Sequence, residues 1–237
     1  MRSPLFRTAL ASALLAAAVA APAAFGAKST GQVAVALPAA GDLTAPTIVA
    51  RQTPSNGGKQ VLVLHQFRSD YREQVVLAVG AKRDAKGALW YKLSLPMRPN
   101  NTTGWVRASQ VTLHHVATRI LIDVKQRKLQ VLRGDKVLYA TTVAVGAPGM
   151  ETPLGHFYVQ VRFHPDDPFL GVFAFETSAY SKLSEWPGGG VVGIHGTSAP
   201  QLLGQAVSHG CVRMSNAAAL ALKKLVPVGT PVTIVDG

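Results

Sequence analysis

The feature that most constrains the fold is a succession of short β-type runs, separated by turn residues, that extends over most of the chain. Alternating or continuous apolar runs are bounded by clusters rich in Gly, Pro, Asn and Asp, as strands bounded by tight turns are. Only residues 216–226 show helical spacing, between a capping Ser215 and a terminating Pro227. The sequence therefore predicts a mainly β protein with one C-terminal helix.

The first 26 residues have the layout of a secretory signal peptide. Arg2 and Arg7 precede an apolar, alanine-rich run that ends in small residues. The alternative is an uncleaved membrane anchor, although the run is short for a membrane span. Residues 27–46 are rich in Ala and Pro without clear periodicity, and we expect a flexible linker there. The chain is therefore predicted to be exported to the cell wall, the periplasm or the extracytoplasmic face.

Residues 47–114 are predicted to form a small β-barrel of about five strands. The strings W-Y-K-L at 90–93 and G-W-V-R-A-S-Q-V at 104–111 resemble bacterial Src-homology-3-like domains found beside wall enzymes. Trp90, Tyr91 and Trp105 are expected mainly in its core, with a ligand groove as the alternative. Binding of the cell wall by this domain is a hypothesis that a pull-down of the isolated domain with purified wall would test.

Residues 116–237 continue as a β-meander or sandwich with strands near 120–124, 129–131, 137–145 and 157–163. Segment 164–190 holds three prolines and an aromatic cluster and is expected to be irregular. It is either a mobile flap over a site or a loop packed by its own aromatic residues. Strands near 191–194 and 232–235 complete this predicted second domain.

Cys211 is the only cysteine of the chain and lies in the string S-H-G-C-V-R at 208–213. One cysteine cannot form an internal disulfide, and an unpaired thiol in an exported protein is a candidate nucleophile. A thiol must be deprotonated to attack, and a neighbouring imidazole or guanidinium lowers its pKa. The alternative is a buried cysteine that serves as a small hydrophobic residue. His209 and Arg213 on either side favour the nucleophile.

This string, preceded by H-G-T at 195–197, resembles the active-site signature of the YkuD-type L,D-transpeptidase catalytic domain. His195 and Cys211 lie 16 positions apart, inside the usual range of that family. The likeness extends upstream to the strings at 122–124, 129–131 and 143–146 and to T-P-L-G-H-F at 152–157. It covers about half of the chain, from Val116 to the C-terminus.

The resemblance assigns a cysteine acyl-transfer site. It implies that His195 is the general base for Cys211 and that the Gly196 carbonyl accepts from the imidazole N–H. A backbone carbonyl is expected there because neither motif contains Asp or Glu. His209 is expected in a supporting role that shapes the site or its electrostatics, with a buried histidine bonded to backbone as the alternative.

The remaining residues of the motif are expected to serve the turn and the substrate. Gly210 permits a tight turn, so the N–H groups of Gly210 and Cys211 are candidates for an oxyanion hole. Arg213 is expected to hold a substrate carboxylate or to raise the local positive potential, and Ser208 is expected to brace the turn.

The resemblance also implies a substrate, the stem peptide of peptidoglycan. The thiolate would attack the carbonyl of its third residue, release D-alanine and pass the thioester to an amine of a second stem as a 3→3 cross-link. Water is the alternative acceptor, which would make the chain an L,D-carboxypeptidase. Acylation by carbapenems is expected, and no cofactor is implied.

Charge and ligand chemistry leave further alternatives. The net charge is +12, and +10 without Arg2 and Arg7, which favours anionic wall polymers as partners or only solubility. Export argues against nucleic acid as a partner.

A zinc site formed by His195, His209 and Cys211 is an alternative, but His209 and Cys211 are too close in sequence to bind one ion easily, and no metal is predicted. A non-catalytic wall-binding protein is another. A sortase also has His before Cys and then Arg, but its T-L-x-T-C type motif and its arginine further downstream are missing here, and NlpC-type amidases place Cys before His. The sequence does not define an oligomeric state.

Overall fold

The computed structural model describes residues 33–185 and 187–237, and the predicted signal peptide and residues 27–32 of the predicted linker lie outside them. The described residues belong to one compact unit. Within the described residues no helix is both long enough and apolar enough to cross a membrane. These residues are mainly β with one α-helix, which confirms the predicted fold class.

The N-terminal part of this unit is a seven-stranded antiparallel sheet. Its strands are β1 (Ala39–Leu43), β2 (Thr47–Arg51), β3 (Gln60–His65), β4 (Val75–Arg83), β5 (Leu89–Ser94), β6 (Thr103–Arg107) and β7 (Val111–His115). The spatial order is β3-β2-β6-β5-β4-β1-β7. Its inward residues form one apolar cluster, which includes Ile48, Tyr91 and Leu93. Trp90 is also buried, whereas Trp105 is partly exposed.

The predicted linker is wrong from Ala39 onwards, because β1 lies inside this sheet. It pairs with β4 on one side and with β7 on the other. Its small residues are required there, since a Cβ on Gly41 would lie 1.9 Å from the Thr112 carbonyl oxygen. The small residues of β1 allow neighbouring strands to approach closely, but in the sequence the same residues are typical of a flexible linker.

The C-terminal part is an eight-stranded mixed sheet with an added two-stranded pair. Its strands are β8 (Thr118–Asp123), β9 (Lys128–Arg133), β10 (Lys136–Thr142), β11 (Val145–Gly146), β12 (Gly155–Phe163), β13 (Ala174–Tyr180), β14 (Val191–His195), β15 (Ala206–Ser208), β16 (Val212–Arg213) and β17 (Pro231–Val235). The large sheet has the order β10-β9-β8-β17-β12-β13-β14-β16, and β11 pairs with β15. The last strand therefore lies in the middle of the sheet, parallel to β8.

Helix α1 spans Asn216–Leu225 and begins as predicted. The Ser215 hydroxyl accepts a hydrogen bond from the Ala218 N–H, which satisfies one of the free donors of the first turn. Ala218, Ala219 and Leu222 are buried in the core of the large sheet. This packing places the start of the helix next to the end of β14.

The expectation of an irregular segment over 164–190 is wrong in its middle, where β13 forms. This strand pairs with β12 on one side and with β14 on the other. Its core-facing residues include Phe175 and Ala179, both fully buried, and this burial stabilises a strand that few β-branched residues favour. A flap made of the whole segment is therefore excluded, since its centre is an interior strand of the sheet.

Candidate active site

Cys211 lies on a tight turn between β15 and β16 that Ser208 holds together. The Ser208 hydroxyl donates to the Cys211 carbonyl over 2.5 Å and accepts from the Gly210 N–H over 3.1 Å. Gly210 has a φ of 116°, and a Cβ there would lie 2.9 Å from the Ser181 Cβ. Ser208 therefore braces the turn in this structure, and only glycine fits at position 210.

Thr152, from the upstream T-P string, anchors the same turn from the other side. Its hydroxyl donates to the Gly210 carbonyl over 2.9 Å and accepts from the Gly146 N–H, also over 2.9 Å. The side chain is buried, with 4% exposed. One hydroxyl thus joins the Cys211 turn to β11, and this explains why the two strings occur together in the chain.

His195 is the last residue of β14, and its imidazole is fixed by backbone. Nδ1 lies 2.6 Å from the Gly196 carbonyl oxygen. A carbonyl can only accept, so this contact assigns the proton to Nδ1 and leaves Nε2 as the acceptor. β14 runs parallel to β16, with Ile194 opposite Val212. Cys211 comes just before this pair and lies beside Gly193, which is two residues before His195 and on the same face of β14.

Gly193 lies between the two reactive groups. Its N–H donates to the Cys211 Sγ over 3.3 Å. A Cβ built on Gly193 would lie 3.6 Å from the His195 Cδ2 and 3.8 Å from the Sγ. The thiol and the imidazole therefore face the same small space in front of Gly193, a role that the sequence did not indicate.

Burial sets the protonation of both groups. It lowers the pKa of His195 to about 4, although the carbonyls of Gly196 and Leu170 oppose the shift by favouring the imidazolium. Burial also raises the pKa of the Cys211 thiol, and the Gly193 N–H and the Arg213 charge only partly offset that effect. The side chain keeps some exposure towards the cavity. At neutral pH the resting pair is a thiol and a neutral imidazole, so the expected depression of the thiol pKa is wrong.

Arg213 is buried, with 6% exposed, and its guanidinium lies 4.6 Å from the centre of the Phe169 ring. Its charge acts on Cys211 through space and favours the thiolate. The buried position makes Arg213 a source of positive potential behind the nucleophile. Of the two predicted roles, the structure therefore favours the electrostatic one over direct capture of a substrate carboxylate.

The cavity in front of Cys211 has a volume of about 400 Å³. Phe163, Phe169 and Phe175 form much of its wall, and Glu176 and Asp167 add carboxylates. The turn that carries Phe169 is fixed to the end of β14 by Asn216, whose Oδ1 accepts from the N–H groups of Val172 and Thr197. A partly apolar, partly acidic cavity thus leads to the thiol.

The predicted oxyanion hole fits the structure only in part, and the supporting role of His209 stays a prediction. The Gly210 N–H is bonded to Ser208, so it is not available to an oxyanion, and this half of the predicted oxyanion hole is wrong. His209 is half-buried on the same turn and is not among the residues that line the cavity. Over residues 33–185 and 187–237, no three His, Cys, Asp or Glu side chains come close enough to hold a metal ion.

Residues that the sequence did not single out complete the site. Gly193, Phe169, Glu176 and Asn216 all contact its groups or its cavity. The sequence offered two weak signals, the aromatic cluster of segment 164–190, which contains Phe169, and the glycine two residues before His195. An Asn at the start of a helix is common for capping reasons and does not point to a site.

Comparisons with known proteins agree with the motif. The family model of the L,D-transpeptidase catalytic domain, YkuD, matches residues 117–234. The provisionally named L,D-transpeptidase YkuD of Bacillus licheniformis is 35% identical over 117 residues, which are 49% of this chain and 64% of that protein. The similarly named YqjB of Bacillus subtilis is 31% identical over 126 residues, 49% of this chain and 70% of that protein.

Solved structures include proteins of the same description. An L,D-transpeptidase from Mycobacterium tuberculosis matches with a TM-score of 0.47 and 15% identity, over 69% of this chain and 90% of that one. The Enterococcus faecium L,D-transpeptidase matches with a TM-score of 0.41 and 23% identity, over 50% of each chain. The sequence matches to YkuD and YqjB, joined to the Cys211 and His195 geometry, show that this chain belongs to the YkuD-type L,D-transpeptidase catalytic domain family.

Proposed function

We propose that the chain is a peptidoglycan L,D-transpeptidase that acts through a Cys211 thioester. The observation that carries the proposal is the joint placement of the Cys211 thiol and the His195 imidazole around Gly193, at the end of a cavity that admits a peptide-sized group. Nδ1 of His195 already carries its proton, so Nε2 is free to take another. This is the arrangement that cysteine acyl transfer requires.

The first half-reaction begins from the neutral pair. As the Cys211 sulfur attacks the carbonyl carbon of the third stem residue, Nε2 of His195 takes the thiol proton. The C–N bond to D-alanine then breaks, the leaving nitrogen receives that proton, and a thioester remains. The Cys211 N–H is the remaining backbone donor of the predicted oxyanion hole, and the Arg213 charge stabilises the negative charge.

In the second half-reaction an amine of another stem attacks the thioester. His195 takes the proton from that amine, the new C–N bond forms and the C–S bond breaks. The proton then returns to the sulfur, and the product is a 3→3 cross-link. Water in place of the amine would give the L,D-carboxypeptidase reaction with the same residues.

The wider biology follows from the same proposal. The chain spans 64% of the length of the YkuD relative. The compartment and the partners of this protein are therefore proposed from its own residues and from the reaction described above. We infer export through the N-terminal 26 residues, action at the cell wall, anionic wall polymers as further partners and acylation by carbapenems. We also infer a Src-homology-3-like domain beside a catalytic domain at 116–237, and the predicted bounds of the first domain, 47–114, extend to include β1 (Ala39–Leu43).

Intact-protein mass spectrometry with meropenem tests the acyl-transfer step. One added drug mass is expected on the wild type and none on Cys211→Ala. The acylation rate of His195→Gln should be lower than that of the wild type by a factor of at least about 100. A synthetic tetrapeptide stem then distinguishes the acceptors, because a cross-linked dimer requires an amine and a tripeptide alone requires water. A correctly folded wild type that gains no mass and releases no D-alanine would instead favour a non-catalytic wall-binding protein.

A further inference from the structure

The hairpin of β13 and β14, which carries Gly193 and His195, pairs irregularly towards its connection. Its register shifts between the pair Glu176–Gly193 and the pair Tyr180–Val191. The connection includes consecutive glycines with positive φ at 188–190. A hairpin with a shifted register and a glycine-rich connection is weakly specified by local sequence.

Arg68, in the connection between β3 and β4 of the N-terminal sheet, reaches the inner end of this hairpin. Its guanidinium donates to Gln160 Oε1 over 2.6 Å and forms an ion pair with Glu176. Glu176 lines the cavity and is the cross-strand partner of Gly193. One side chain from the N-terminal sheet therefore joins β12 to β13 directly behind the residue that bonds to the Cys211 sulfur.

The same sheet holds the outer end of the hairpin through the connection between β5 and β6. The Asn100 amide donates to the Tyr180 carbonyl over 2.7 Å, and its oxygen accepts from the Tyr180 N–H over 3.0 Å. Arg98 donates to the carbonyls of Ser181 and Gly189, over 3.0 and 2.9 Å. Its guanidinium also lies 4.6 Å from the centre of the Tyr180 ring. Asn100 thus bonds both backbone groups of Tyr180, the residue at which the pairing of β13 with β14 resumes after the register shift.

These contacts also reach the nucleophile. Ser181, whose carbonyl Arg98 holds, lies against Gly210, so that a Cβ on Gly210 would be 2.9 Å from the Ser181 Cβ. The Cys211 turn is therefore packed against the segment that the N-terminal sheet fixes. The two anchors hold the hairpin at two levels, Arg68 at Glu176 opposite Gly193 and Arg98 at the connection that follows β13.

We propose that the N-terminal sheet is part of the catalytic apparatus, with Arg68 and Arg98 as positioning residues that keep Gly193 and His195 aligned with Cys211. This inference rests on the proposed function and extends it, since it gives the N-terminal sheet a direct role in turnover. A displacement of about 1 Å in an active site can cost about 100-fold in rate. Removal of either anchor is expected to slow the chemical step while leaving drug affinity unchanged.

The test compares Arg68→Met and Arg98→Met with a matched control, Arg107→Met. Arg107 also bonds a side chain and stacks on an aromatic ring, but its partners, Asn56 and Trp90, lie within the N-terminal sheet. Acylation by meropenem, followed by intact mass over a range of concentrations, separates affinity from the bound-state rate. We expect that rate to fall about tenfold or more in the first two variants and by less than about twofold in Arg107→Met.

A milder variant and a second probe keep the outcome decisive. Arg68→Lys keeps a charge for Glu176 and should recover part of the acylation rate, which loss of stability alone would not predict. Equal rates in wild type, Arg68→Met and Arg98→Met, or an equal loss in Arg107→Met, would overturn the inference. If the wild type is not acylated, the proposed function fails. Alkylation of Cys211 by iodoacetamide still decides the inference, because a changed rate in the two variants supports positioning and an unchanged rate refutes it.

Discussion

Replacement of Thr152 by valine should destabilise the protein through two hydrogen bonds at once. Valine keeps the shape of threonine but removes the hydroxyl that joins the Gly146 N–H to the Gly210 carbonyl. Both backbone groups would then be left without this partner in a buried place, at a cost of about 1 to 3 kcal/mol each. We expect a loss of about 2 to 6 kcal/mol in the free energy of unfolding, at or above the upper end of the usual effect of a point mutation.

Urea denaturation of Thr152→Val, with Thr152→Ser and Thr112→Val as controls, measures this loss. Thr112 is exposed on β7, so its valine variant reports the intrinsic effect of the replacement on a strand. A chain of this length should lose about 2 to 4 °C in Tm per kcal/mol. Thr152→Ser keeps the oxygen and should lie near the wild type. A loss below about 0.5 kcal/mol in Thr152→Val, or equal losses in the valine and serine variants, would refute the bridging role of this hydroxyl.

The remaining predictions concern protonation, the site and the helix. Because the pKa of His195 is lowered to about 4, the imidazole stays neutral from pH 5 to pH 7.5, and the meropenem acylation rate should be flat there; an inflection near pH 6.5 would contradict this. The folded pKa lies below that of the unfolded chain, so stability should fall as the pH drops from 6.5 to 4, by up to about 3 kcal/mol, and less so in His195→Gln when both are followed by urea denaturation. Gly193→Ala should fold with an unchanged Tm, since its Cβ meets only ordinary contacts, but should acylate more slowly because the methyl group fills the space between Cys211 and His195. Ser215→Ala should lose about 1 kcal/mol in urea denaturation without a change in acylation rate, since the cap bonds only the helix.

The sequence predicted those elements whose signals are local. The capped helix after Ser215 and the strands with clear alternation have their side-chain period and their turns within a few residues. Strand β1 was missed because Ala39, Ala40 and Gly41 carry no β-forming side chain, and their burial depends on β4 and β7, which lie 32 or more residues away along the chain. Strand β13 was missed for the same reason, since its neighbours in the sheet specify it.

In the site, the reacting groups could be predicted from the sequence, but the pKa of the thiol and the long-range contacts that position the groups could not. The motif indicated Cys211, His195 and the Gly196 carbonyl, and the structure brings these groups together. The direction of the Cys211 pKa shift depends on how much water reaches the sulfur, and residues adjacent in sequence do not report that. The contacts of Arg68 join residues more than 90 positions apart, and no periodicity in the sequence foreshadows them.

The central position of β17 has a consequence for the way the chain folds. This strand separates β8 from β12, with Val232 opposite both Ile120 and Phe157. Its pairing with β8 closes a loop of about 110 residues, and non-local closure of this kind makes folding slow. Until that closure occurs, the β8–β10 meander and the strands that bear the catalytic pair have no shared ladder between them. The assembly of the thiol site is therefore coupled to the insertion of a strand that contributes none of its reactive groups.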